Sequence, residues 1–92
     1  MNVTVEYAAQ VKRAAGLASE RLEVDESSCV QDVVRRIAQD HGDPLSSLLL
    51  GSDDQLHPSI LLFVRDEQVR WETPVPLSEN DVVTILSPIS GG

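Results

Sequence analysis

One stretch of this 92-residue chain, Ser28 to His41, reads as an amphipathic helix, and its apolar side needs a flat partner. Val30, Val33, Val34, Ile37 and Ala38 recur at helical spacing and mark a single face. Arg35, Arg36, Gln39 and Asp40 cover the other side. Ser28 reads as the N-cap, with Gln31 three residues later as in a capping box. Asp25, Glu26 and Asp32 put negative charge where the helix dipole favours it. Gly42 suits the position after the helix, and Pro44 prevents continuation. A single helix with a broad Val/Ile face buries it on a sheet, which predicts an α+β roll.

The flanking segments supply that sheet. Asn2 to Tyr7 alternates, with Val3, Val5 and Tyr7 on one face. Ala8 to Gly16 holds a short helical turn, with Lys12 and Arg13 exposed and Gly16 as its stop. Glu20 to Val24 alternates again, with Leu22 and Val24 inward, and a connection this short predicts antiparallel pairing with the first strand. Leu45, Leu48 and Leu49 have helical spacing and close the core, and Gly51 to Pro58 is a loop. Ile60 to Arg65 reads as a strand, Asp66-Glu67 as a turn, and Gln68 to Trp71 as its partner. Thr73 to Asn80 is a second loop, in which Asn80 can adopt a left-handed conformation. A β-branched strand then runs to Leu86 and is stopped by Pro88.

Parity sorts the side chains of the later strands. With Thr84 outward, Val83 and Ile85 enter the core and Leu86 faces out. With Arg65 outward, Ile60, Leu62 and Val64 face in, and Leu61 and Phe63 face out. Leu61, Phe63 and Leu86 then form an exposed apolar patch suited to a protein partner, unless the Thr73–Asn80 loop covers it.

Composition narrows the function. A formal charge of −8, from 15 acids and 7 bases, argues against nucleic acid and anionic membrane. The single Cys29 excludes an intramolecular disulfide and suits a reducing cytoplasm. The first residues lack a signal-peptide pattern, and no apolar run is long enough to span a membrane. Cys29 lies where the helix dipole can lower its pKa, but no base matches it, and it reads as structural. His41 complements the end of the helix, and His57 sits in a loop; the two make no metal site. Asp53-Asp54 and Asp25-Glu26 read as solvated surface. Trp71 is either a binding hot spot or packing at a strand end. No glycine-rich phosphate loop precedes a helix, so no bound cofactor is expected.

That leaves the ending, Ser87-Pro88-Ile89-Ser90-Gly91-Gly92, as the strongest candidate. Gly91 and Gly92 lack Cβ and fit a narrow channel, Ser90 is small, and Ile89 can anchor the base of the tail. A flexible tail of 89–92 on a domain of 1–88 is expected, with its terminal carboxylate as the reactive group.

Three segments carry a resemblance: Val64-Arg65-Asp66-Glu67-Gln68-Val69, Leu77-Ser78-Glu79-Asn80-Asp81-Val82-Val83, and the ending itself. With the element order, they make the whole chain resemble the ubiquitin-like β-grasp fold, and more narrowly the MoaD/ThiS family of sulfur carriers. Asn80 stands where that family has a glycine, and asparagine tolerates the same backbone. Leu56-His57 and Asp66 to Arg70 look like the branch that supplies sulfur for cysteine synthesis, and small subunits of molybdopterin synthase are similar too.

The resemblance implies a mixed sheet of four to five strands with one main helix packed on one face. It also implies a cycle. A ubiquitin-activating-type enzyme uses ATP to adenylate the Gly92 carboxylate, a sulfur donor converts it to a thiocarboxylate, and a sulfur-accepting synthase consumes it. The product would be molybdopterin, thiamine, cysteine or a related compound. The protein would be a carrier and co-substrate, not an enzyme. Two other roles stand beside this one: a modifier attached to lysines through Gly92, and an interaction domain that does not use the tail.

Overall fold

The computed structural model of the chain describes residues 1–87. The expected tail, and the stop at Pro88, lie outside the described residues. In chain order the elements are β1 (Asn2–Ala8), α1 (Ala9–Ala15), β2 (Ser19–Glu23), α2 (Val30–His41), α3 (Leu45–Leu49), β3 (Leu61–Val64), β4 (Glu67–Gln68) and β5 (Val82–Ser87). The strands form one sheet in the order β2-β1-β5-β3-β4. β1 pairs antiparallel with β2, as their short connection requires, and parallel with β5. β3 pairs antiparallel with both β5 and β4. The last strand is therefore the middle one.

The core lies between the sheet and α2. Val30, Val33, Val34, Ile37 and Ala38 are all buried, so the face read from helical spacing is the face that packs. Opposite them are Val3, Val5, Tyr7, Leu62, Val64, Val83 and Ile85. Leu45 and Leu49 of α3 close one end of this layer. Inward-facing and outward-facing residues alternate along β3 and β5 as parity predicted.

Two local expectations need correction. The cap of α2 lies one residue further on, at Cys29, whose backbone N–H donates to the Asp32 carboxylate at 3.0 Å. Gln31, expected to complete the capping box, is instead buried. Its amide nitrogen donates to the carbonyls of Trp71 at 3.0 Å and Thr73 at 2.9 Å.

The β3–β4 hairpin turns at Arg65 and Asp66, one residue before the expected Asp66-Glu67 turn. Val64 pairs with Glu67, which leaves Arg65 and Asp66 between the strands. Both have positive φ, 52° and 65°, as a two-residue hairpin matching the twist of its strands requires. β4 is correspondingly short, and Trp71 lies in the turn beyond it.

Candidate functional site

The side of the sheet away from α2 is the candidate surface, and strand register defines it. Leu61 lies opposite Leu86, and Leu86 opposite Ala8. One row further along, Phe63 lies opposite Thr84, and Thr84 opposite Glu6. Register partners share a face, so Leu61, Phe63 and Leu86 are brought together beside β1. All three are half-buried rather than fully exposed. Val82, further along β5 on the same face, is 40% exposed.

The first half of the Thr73–Asn80 segment is held away from this surface. Val30 donates its N–H to the Val75 carbonyl at 2.9 Å, and Leu77 donates to Ser28 at 3.2 Å. These bonds, with those of Gln31, tie the segment to the start of α2 on the other side of the sheet. A shallow depression of about 350 Å³ remains open on the candidate surface. Glu6, Phe63, Val82 and Thr84 line it with Asn80, the end of that segment, and the Arg65–Asp81 ion pair stands at its edge.

The approach to β5 is firmly held. Asn80 takes the left-handed conformation expected of it, with φ 67°. Its N–H donates to the Asn2 carbonyl at 2.7 Å, and its side-chain oxygen accepts from Arg21 at 2.9 Å. The Asp81 carboxylate accepts from the Ser78 N–H at 2.7 Å as well as from Arg65. Glu79 accepts the Asn2 N–H at 2.7 Å, and that bond holds its carboxyl below its ordinary value. β5 then runs through the middle of the sheet to Ser87, which is buried and bridges Ala9.

The remaining candidates are engaged in local contacts. The Cys29 thiol is pushed up by partial desolvation and by the hydrogen bond and charge of Asp32, opposite to the shift a dipole would cause. His57 Nδ1 receives the Ser59 N–H at 3.1 Å within a turn. Asp53 accepts the Gln55 N–H, and Asp54 pairs with Arg35 at 2.9 Å. Trp71 packs against the core, with the Arg35 guanidinium 5.2 Å from its ring centre. Among the described residues, no group of three or more His, Cys, Asp and Glu is arranged to hold a metal. No helix among them is long and apolar enough to cross a membrane.

Sequence reasoning missed one cluster. His41 meets Glu20 at 2.6 Å, and the Tyr7 hydroxyl donates to the same carboxylate oxygen at 2.5 Å. Burial alone would raise the Glu20 pKa, but the bonds from Tyr7 and His41 and the charges of His41 and Arg36 bring it below its ordinary value. Burial, with Glu20 adding to it, raises the Tyr7 pKa well above the usual range. The available signal was parity, since Glu20 shares the inward side of β2 with Leu22 and so needed a partner.

The model of the ThiS family matches residues 5–92. No curated protein matches the chain significantly in sequence. Among solved structures, SAMP1 from Haloferax volcanii is 23% identical, with all of both chains covered and a TM-score of 0.88. The small archaeal modifier protein 1 from Methanosarcina acetivorans is 26% identical, covering 99% of this chain and 96% of that one, with a TM-score of 0.79. The Amycolatopsis orientalis BexX/CysO complex contains a chain 24% identical, covering 98% and 99%, with a TM-score of 0.68. The architecture is the ubiquitin-like β-grasp.

Proposed function

The chain belongs to the ThiS family of ubiquitin-like carriers, and on that basis we propose that it carries sulfur as a thiocarboxylate at Gly92. The observation that supports this most is the family match continuing through residue 92, so that it includes the Gly91-Gly92 ending. A carboxylate is a poor electrophile until it bears a good leaving group. A partner enzyme supplies one by transferring AMP from ATP to Gly92, and a sulfur donor then displaces AMP. The half-buried face of Leu61, Phe63 and Leu86 docks the adenylating enzyme and, in turn, the sulfur-accepting synthase. The protein acts as co-substrate, in the cytoplasm where ATP is available. Cysteine, thiamine or molybdopterin synthesis receives the sulfur.

Intact mass tests this reading. After incubation with the adenylating enzyme, ATP and a sulfur donor, one oxygen of the chain is replaced by sulfur, and deleting Gly91-Gly92 abolishes the change while the fold is kept. An unchanged mass with an enzyme that catalyses ATP–pyrophosphate exchange on the same chain argues against it.

A second reading, a modifier joined to lysines through Gly92, draws on the likeness to the Methanosarcina modifier protein. It shares the adenylation step. Gly-Gly remnants on cellular lysines that depend on this chain would favour it over a carrier role alone.

A further inference from the structure

The basic residues of this chain are not used alike. Arg35 meets Asp32 and Asp54, Arg36 meets Asp40, Arg65 meets Asp81, and Arg70 meets Glu72. Arg21 donates to the Asn80 side chain. Lys12 and Arg13, neighbours on α1, are exposed, and among the described residues no carboxylate lies within ion-pair distance of either. The local sequence explains this. Between Glu6 and Glu20 the chain carries no acid, although acids outnumber bases 15 to 7 overall. Two acids of adjoining segments are engaged otherwise, Glu20 with Tyr7 and His41, and Asp43 with the Ser47 hydroxyl at 2.6 Å. Cations suit the last turn of a helix, but the Lys12 carbonyl there already accepts the Gly16 N–H at 3.0 Å.

The two cations stand among apolar side chains. α1 packs beside α3, and a hollow of about 580 Å³ opens between them, lined by Ala14, Pro44 and Leu48 with Arg13. A second hollow, of about 470 Å³, is lined by Ala9, Leu17 and Lys12, again with Arg13. Arg13 belongs to both, so the hollows adjoin and make one groove across α1. Ala14, Leu17 and Leu48 are half-buried against the core beneath it. The groove shares no lining residue with the depression on the outer face of the sheet.

We propose that this groove docks an acidic segment of a partner protein, its carboxylates against Lys12 and Arg13 and an apolar side chain in the hollow between Ala14 and Leu48. Charge complementarity selects the acid, because this is the one stretch of an acidic chain whose cations are not answered from within the described fold. The apolar hollow selects a protein segment over a small anion, which has nothing to place there. Nucleic acid draws its affinity from many phosphate contacts, and two cations on a chain of charge −8 do not provide them. The inference does not rest on the carrier reading.

Selection from a random peptide library, with the full chain as bait, tests it. An enriched peptide is then titrated into isotope-labelled protein. The enriched peptides should combine aspartate or glutamate with a large apolar residue, and amide shifts should move along α1 and at Leu48. Added salt should weaken the complex. Arg13→Glu and Lys12→Glu should each lower the affinity by about tenfold, since each replaces attraction with repulsion. A peptide with lysine in place of its acids should bind the Arg13→Glu chain better than the wild type, and the amide spectrum of each variant reports its fold in the same experiment. Failure to enrich any peptide overturns the proposal, as do enriched peptides without acids or shifts confined to Leu61, Phe63 and Leu86. Inorganic phosphate alone producing the same shifts would make the groove a small-anion site and overturn it too. So would α1 shifts that appear when the chain is concentrated without peptide, which would assign the groove to a second copy.

Discussion

The two faces of the sheet are made from the same strands, yet they are built to different standards. On the inner face Val3, Val5, Val83 and Ile85 are wholly buried against α2. On the outer face Leu61, Phe63 and Leu86 stay half-buried, and Glu6 is exposed among them. Strand alternation alone produces this division, since neighbouring residues such as Ile85 and Leu86 point to opposite sides. The inner face is filled by the chain itself. The outer face keeps Val82 exposed and Leu61, Phe63 and Leu86 half-buried, while the carbonyls of Thr73 and Val75 are bonded to the start of α2. Hydrophobicity of a residue type therefore does not separate core from outer face here; the parity of its position does.

Substitutions should separate the faces in order of size. Ile85→Ala should cost about 3 kcal/mol in urea unfolding, because it opens a cavity under α2. Gln31→Ala should cost about 2 kcal/mol, because it leaves the Trp71 and Thr73 carbonyls without their donor. Leu86→Asp should do the reverse. It should lower kcat/KM for adenylation by about tenfold, equivalent to about 1.4 kcal/mol of transition-state binding, and lower the urea midpoint clearly less than Ile85→Ala does. Should Leu86→Asp unfold the domain as readily as Ile85→Ala does, the contrast between the faces would fail.

The smallest effect is in the pH dependence. Glu20 has a lowered folded pKa, so the fold binds fewer protons there than the unfolded chain does. Its contribution is present above the ordinary carboxyl value of 4.5 and is lost as pH falls through the folded value. Tyr7 has a raised pKa, so its contribution is present below 10.0 and declines as pH rises above that value. Unfolding curves of wild type and Glu20→Gln should therefore lie apart at pH 7 and converge in acid. A constant separation down to pH 3 would show that the carboxylate charge is not what the cluster uses.

Much of this was legible because it depends on short-range pattern. The Val30 to Ala38 stripe, the inward set of β3 and β5, and the left-handed Asn80 each follow from spacing or from one residue's steric freedom. The misread positions depend on remote partners. Gln31 fits a local capping pattern, but its amide serves carbonyls some 40 residues away. Arg65 was read as the outward-facing end of a strand, whereas pairing of Val64 with Glu67 fixes it in the turn. Glu20 was seen as part of an alternation, and its two partners come from β1 and the end of α2. The outer patch was legible as a set of residues, while its freedom from the first half of the Thr73–Asn80 segment required knowing where that segment is tied.

The central place of β5 also bears on how the protein is made. Val82–Ser87 is the last of the described strands in chain order, yet it joins the β1–β2 pair to the β3–β4 pair. Until it emerges from the ribosome, two strand pairs lack their shared neighbour and the Val/Ile side of α2 lacks Val83 and Ile85. A nascent chain halted before Val82 would expose unpaired strand edges and be open to proteases. Closing the sheet therefore waits on its last-placed strand, Val82–Ser87.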